Sequence, residues 1–387
     1  MLNRRILRVK AMQALYGYFT AVESIKEVKR EDLREMHSLD PAKHDFSDKA
    51  LFEARKKQAV NLFNQNIHNS EVITEEAVES EVLTNVNDAI DSFGNALSKE
   101  ATARKNEMMR EARKIYETYL KLLVLPIEIE QREKLDKEKE EKAYISKAPK
   151  YFPFIDDKIV AKLKSNELLS KEVARVSVSW GNEQSEIKTW YREQIRTSEA
   201  LSTFFDEKKS EQDGNGIVME AFKRVIFKNE PILSYLENSN LHWTENQPII
   251  KSMVVKTIKT LQEDGELELA ELTKNGEDDF KFLERLFADV ISENDFMEEM
   301  IQKRTKNWDV ERIALTDRVI LKLAMVEMMN SPSIPVKVTI NEAIEISKMY
   351  STPKSKQFIN GVLDVLSNEL TSSGKIRKTG RGLIDNK

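Results

Sequence analysis

Arg4, Arg5 and Arg8 stand in the opening stretch MLNRRILR, and Lys354, Ser355, Lys356, Phe358 and Gly361 crowd into YSTPKSKQFINGVLDV, from Tyr350 to Val365. Cationic side chains bind phosphate, an aromatic face stacks a base, and a glycine that bares the backbone lets a phosphate approach. This is the chemistry of binding. Catalytic chemistry has little to stand on. Cys is absent, which removes disulfides, thiolate metal sites and cysteine nucleophiles. His37, His44, His68 and His242 are scattered without ligand spacing. There is no βαβ pattern and no G-x-G-x-x-G. The chain reads as a non-enzyme with no cofactor and no metal. On residue types alone both clusters also have an ordinary structural reading: arginines at a helix start are commonly just solvated, and a phenylalanine beside a core is commonly packing.

Composition bounds the elements that must carry these residues. The chain has 387 residues, with 40% hydrophobic and 33% charged, so a folded core lies under a heavily charged surface. With only 11 Gly and 9 Pro, helices are favoured over turns and strands. Asp+Glu 66 against Lys+Arg 61 gives a net charge of -5, so any nucleic-acid surface has to be local. The longest apolar candidate, LKLLVLP, is far short of the ~18 residues of a membrane helix. Lys10 and Gln13 break what would be a signal-peptide core. A soluble, cytoplasmic protein without membrane contact is expected.

Leu7, Ala11, Ala14, Leu15, Tyr18, Phe19 and Val22 recur at helical spacing, which makes one amphipathic helix with a basic start and puts Lys10, Gln13 and Gly17 opposite. From about Glu31 to Arg113 the pattern predicts loosely packed helix with a break at LDPAKHDFSD. ARKIYETYLKLLVL reads as a helix stopped at Pro126, followed by a charge run, EIEQREKLDKEKEEK, that reads as a solvated helix face. Pro149, Tyr151, Phe152, Pro153 and Phe154 form a non-helical segment whose aromatics anchor in a core. ERIALTDRVILKLAMVEMM is apolar on nearly every side, as at the centre of a bundle, with Asp317, Arg318 and Lys322 interrupting it.

Asn360-Gly361 is a hairpin signal. Ile359, Val362, Leu363, Leu366 and Leu370 nevertheless follow helical spacing, with Ser355 where an N-cap should stand, so the stretch is expected to be helix. At ~100° per residue Phe358 and Gly361 then lie off the apolar stripe, with Lys354 broadly beside them.

RRILRVKAMQALYGY, DDFKFLERLFADVISEN, NWDVERIALTDRVILKLAMVEM, IPVKVTINEAIEISKMY and SKQFINGVLD resemble successive segments of the NusB family of bacterial transcription antitermination factors. The resemblance covers the first helix and roughly Gly276 to Leu370. It implies an all-α fold, a NusB-like helical bundle interrupted by a large, mainly helical insertion. The division expected from it is 1–29 with 276–371 for the NusB-like part, 30–275 for the insertion, and 372–387 for a basic, flexible tail containing Lys375, Arg377, Lys378 and Arg381.

The resemblance also implies binding of single-stranded boxA-type leader RNA of ribosomal RNA operons, together with a ribosomal small-subunit protein, NusE, within a transcription elongation complex. By position it assigns Arg4, Arg5, Arg8, Lys354, Ser355, Lys356 and Phe358 to RNA, and Tyr16, Asp317 and Arg318 to the protein partner. Lys354 stands where the family often has an acid, and Ile6 where a third basic residue is common, which strengthens one end of the surface and thins the other. The other reading is a helical protein-protein scaffold in which the insertion does the work and RNA binding is lost. An RNA cytosine-5 methyltransferase, an enzyme class that can carry a NusB-like domain, is excluded by the missing cysteine and cofactor domain.

Overall fold

A computed structural model of the chain describes residues 4–40, 48–68, 72–74, 78–142, 152–209, 216–263, 265–273, 275–304 and 313–384, apart from the side chains of 205–209. Among the described residues there are fifteen α-helices and no strand. The expected break after Asp40, Pro149 and Tyr151, and the NWDVER part of the family-like segment lie outside the described residues. The contacts divide the chain into two compact units, one of Glu111–Asp279 and one of Arg4–Arg110 with the residues from Phe280 onward.

The second unit is built on α13 (Leu315–Asn330), buried at every position from Val319 to Met329. It is wrapped by α1 (Arg4–Met36), α12 (Asn294–Arg304), α14 (Val336–Tyr350) and α15 (Ser355–Ser372). Leu7, Ala11, Leu15 and Tyr18 of α1 are buried at the expected spacing. Tyr18 stands edge-on to Phe287 of α11 (Glu277–Ser292), with centroids 6.3 Å apart. Lys10, expected on the open side, is buried.

A second core in this unit corrects the loose packing expected beyond residue 30. Helix α1 runs unbroken through Arg30 to Met36. Its Leu33 packs with Phe63 of α2 (Lys49–Asn66) and with Val86 and Phe93 of α3 (Ser80–Lys142). The rings of Phe63 and Phe93 meet edge-to-face at 5.9 Å. Spread over three helices, these apolar residues are too sparse in any one window to announce a core, yet they converge on one cluster. Residues 30–110 therefore group with the family-like helices and not with the rest of the expected insertion.

The first unit holds the end of α3 and the helices that follow it up to Glu263. Pro126 does not stop its helix; α3 continues through it to Lys142. An internal proline costs about 3 kcal/mol, and burial of Leu122, Leu123, Leu125 and Ile129 around it offsets that. The charge run that follows is not wholly solvated, because Glu130, Glu133 and Asp136 are buried. Asp136 receives Arg192 at 2.8 and 2.9 Å. Glu133 accepts the backbone N–H groups of Phe154 and Ile155 at 2.7 and 2.8 Å. Asp157 caps α4 (Lys158–Ser165) by accepting from Ile159 and Val160. Burial pushes the Glu133 carboxyl up to about 8 and that of Asp157 up to about 6.

The C-terminal segment, expected as a flexible tail, makes specific contacts among its described residues. The Thr379 N–H donates to Pro332 O at 3.0 Å, Lys378 Nζ donates to Ser331 O at 2.9 Å, and Ile376 and Gly382 are buried.

Candidate nucleic-acid interface

The basic start of α1 is sorted by its partners. Arg8 is buried and donates through Nε and Nη2 to Glu327 of α13 at 2.6 and 2.8 Å. Thr339 of α14 donates to the same carboxylate at 2.6 Å. Arg5 makes a two-pronged pair with Glu342 of α14, 2.9 Å on each prong, with 42% of its side chain exposed. The guanidinium carbons of Arg4 and Arg8 lie 5.1 and 5.7 Å from the Phe282 ring centroid. Arg8, expected on the RNA side, thus turns its donors to a buried acid. Arg4 and Arg5 remain at the surface.

At the other cluster α15 is helical through Asn360-Gly361, with Ile359, Leu363, Leu366 and Leu370 fully buried. Ser355 is not the N-cap. It is the first helical residue, buried, and donates to Asp317 Oδ2 at 2.7 Å while its hydroxyl also meets those of Ser351 and Thr352. Lys354 and Lys356 on either side are exposed, Phe358 is half-buried, and a Cβ at Gly361 would meet open space. Ser355 therefore pins the segment while its neighbours face solvent.

Both clusters are tied to α13, at Glu327 and at Asp317. These positions are ten residues apart in the sequence, or ~15 Å along a helix.

Of the residues expected at a protein partner, Tyr16 is 43% exposed. Asp317, expected at the same partner, is buried and accepts from Ser355. Arg318 Nη2 donates to Glu298 at 2.5 Å. Beside it Lys322 is buried, donates to Asn294 at 2.7 Å and stands 4.4 Å from the Phe19 ring centroid. Burial pulls the Lys322 ammonium below the usual lysine range, against the attraction of Glu298. Arg318 and Lys322 line a cavity of about 500 Å³ whose other walls include Tyr18, Phe19, His68 and Phe93. Part of its lining thus comes from residues 67–97, a wall not anticipated from the sequence.

Glu327 and Phe282 were also missed. Glu327 carried a signal: a lone carboxylate in the apolar run AMVEMM needs a buried cation. Among the described residues no group of acids and histidines is placed to hold a metal ion, and no helix is long and apolar enough to cross a membrane.

Comparison with known proteins places this helical part in a class. The model of the NusB family matches residues 248–368, which starts inside α10 (Trp243–Glu263) and so earlier than Gly276. The transcription antitermination protein NusB of Bacillus thuringiensis (strain Al Hakam) is 41% identical over 110 residues, 27% of this chain and 85% of that protein. Its namesake in Salinibacter ruber is 44% identical over 103 residues, 27% of this chain and 64% of that protein. For the one in Chloroherpeton thalassium the identity is 42% over 104 residues, 27% of this chain and 49% of that protein. The chain thus spans about half to two-thirds of the length of the last two. The solved structure of T. maritima NusB aligns with 37% of this chain and 89% of its own at 25% identity, with a TM-score of 0.24. The chain belongs to the NusB family.

Proposed function

We propose that this protein is a non-enzymatic, cytoplasmic transcription antitermination factor that binds single-stranded boxA-type leader RNA of ribosomal RNA operons together with the ribosomal small-subunit protein NusE. The observation that carries the reading is the start of α15. Lys354 and Lys356 are exposed and Phe358 is half-buried, on a segment that Ser355 fixes to the buried Asp317. Two cations beside an aromatic suit phosphate contact and base stacking, and the fixed segment lowers the entropy lost on binding. Arg4 and Arg5 supply further positive charge near the helix start of α1. Tyr16 and Arg318 are the surface residues for the protein partner, with Arg8 and Asp317 holding the two contact segments in place.

The cations on the two candidate contact segments are few and the net charge is -5, so RNA binding is weak alone and tightens when the partner is present. Fluorescence anisotropy with leader RNA from the source genome, with and without the ribosomal protein, tests this. A modest salt dependence is expected, at about −0.7 in log–log slope per phosphate contact. Affinity unchanged from low to high salt, or no response to the partner, would refute it. The scaffold reading draws on one observation, the separate core built by Leu33, Phe63 and Phe93. It expects protein partners captured on the full chain to survive RNase treatment and leader RNA not to bind.

A further inference from the structure

The C-terminal segment carries four cations that the interface described above does not use, and the structure treats them differently. Lys375 Nζ sits 4.0 Å from the Phe296 ring centroid. Arg377 Nε donates to Gly374 O at 3.1 Å. Lys378 is half-buried and its ammonium is held by Ser331 O, within the field of Glu327. Burial draws that ammonium down to about 8. Among the described residues only Arg381 of the four has a guanidinium or ammonium without a partner, and it is exposed.

The backbone fixes where Arg381 stands. Gly380 has φ +52, in the left-handed region that favours glycine. At Gly382 an added Cβ would lie 2.0 Å from Pro332 O, so no side chain fits. The Thr379 N–H donates to that same carbonyl, and the Gly382 N–H donates back to Thr379 O at 2.9 Å. An arginine between two glycines is thereby held on a short 3₁₀ turn, Gly380–Leu383, docked on the loop after α13. Here a lysine is desolvated and a close backbone approach is made, and both hold the turn against that loop.

The place of docking gives the turn a use. Glu327, at the same end of α13, accepts Arg8 and lies in the field of Lys378. Lys378 is held by Ser331 O and the Ser331 N–H donates to Glu327 O at 3.0 Å, so the segment that presents Arg381 docks one helical turn from the residue whose carboxylate holds Arg8. Lys337, exposed in the first turn of α14, lies two residues before Thr339, which also donates to Glu327. We infer that Lys375–Leu383 is a third RNA-contacting element, in which Arg381 is the phosphate contact and Lys378 with Gly382 are the anchors that position it. The inference rests on the RNA-binding reading proposed above and adds to it a contact beyond α15.

The test is leader-RNA binding by full-length Arg381→Ala, Arg381→Lys and Gly382→Ala, each over a salt series with the ribosomal partner present and each paired with a thermal melt. Arg381→Ala is expected to weaken RNA several-fold, to lower the magnitude of the salt slope by ~0.7, and to leave the melt unchanged. Arg381→Lys recovers most of the loss, since a point charge suffices for one phosphate. Gly382→Ala undocks the turn and reduces both the melting temperature and the RNA affinity. If that variant does not fold, Arg381→Ala decides alone. Should the parent bind RNA while Arg381→Ala matches it in affinity and slope, the inference falls and the proposed function stands. Should the parent not bind RNA, both fall. Loss of ribosomal-protein binding with RNA affinity intact would make the turn a protein contact and also overturn it.

Discussion

Glu327→Ala separates a structural Arg8 from an RNA-contacting one. In the parent the Glu327 carboxylate takes two bonds from Arg8 at 2.6 and 2.8 Å and one from Thr339 at 2.6 Å, with both ends of the ion pair buried. Removing one member of a buried pair costs about 3–5 kcal/mol, because the other is left charged and uncompensated. The orphaned Thr339 hydroxyl adds to this. Glu342, whose Oε2 lies 3.5 Å from Arg8 Nη1, offsets part of it. A net loss of about 3–4 kcal/mol is expected, against less than about 1 kcal/mol for Arg5→Ala at its half-open pair. With two compact units, a single global transition is not guaranteed. The assay is therefore amide hydrogen exchange of peptides from α13 under native conditions. At 1.4 kcal/mol per factor of ten, opening of α13 should speed up roughly 10²- to 10³-fold. Arg8→Met with Glu327→Leu should recover most of the protection, since an apolar pair can replace a buried ionic one. Protection in Glu327→Ala within about threefold of the parent, together with a tenfold loss of RNA affinity in Arg8→Ala, would refute the reasoning and return Arg8 to the RNA surface.

At the start of α15, Lys354→Glu should weaken leader RNA with little change in melting temperature, and Phe358→Ala should cost ~1–3 kcal/mol of RNA affinity beyond any stability loss. Unaltered affinity in both, with the partner present, would show that this face does not touch RNA. In the first unit the folded Glu133 carboxyl titrates near 8 and its unfolded counterpart near 4.5. Its contribution to stability is thus complete below about 4.5 and fades as pH rises toward 8. Urea titrations should show Glu133→Gln gaining on the parent over that window, with Tyr191 Oη 3.5 Å away and Arg196 nearby damping the effect; a constant difference would contradict it. Tyr119→Phe removes a hydroxyl that meets Thr257 at 2.7 Å and accepts the Ala270 N–H at 2.9 Å. A loss of ~1–3 kcal/mol in unfolding free energy is expected, from the buried donor left orphaned.

Helices whose packing is decided along one face were legible. The stripe of α15 and the all-round apolarity of α13 both appear as the residue spacing requires. What escaped were features decided by partners distant in sequence. Pro126 reads as a stop because its local cost is large, and only the burial on both sides of it, assembled from other helices, outweighs that cost. Glu130, Glu133 and Asp136 read as solvated because a charge run hides which of its members meets Lys164, the backbone of Phe154, or Arg192. Ser355 is a sound N-cap by residue type, yet a buried acid 38 positions away competes for its hydroxyl and wins. At the candidate site the residue types were readable, whereas the division between anchored and presented cations was not.

That division bears on how, on the proposed function, a chain of net charge -5 would hold RNA. A phosphate contact needs a cation that is exposed yet already placed, since a lysine or arginine gives up roughly 2 kcal/mol of rotamer freedom when fixed. The second unit meets both conditions by pairing roles. Buried Arg8 fixes the helix start that carries the half-buried Arg4 and Arg5, the latter paired with Glu342, and buried Ser355 fixes the segment that exposes Lys354 and Lys356. Arg8 is neutralised inside the unit by Glu327 and Ser355 is uncharged, so neither anchor adds a positive long-range field. On the function proposed above, only the few presented cations would act on RNA, which would limit non-specific attraction and leave discrimination to stacking at Phe358 and to the protein partner.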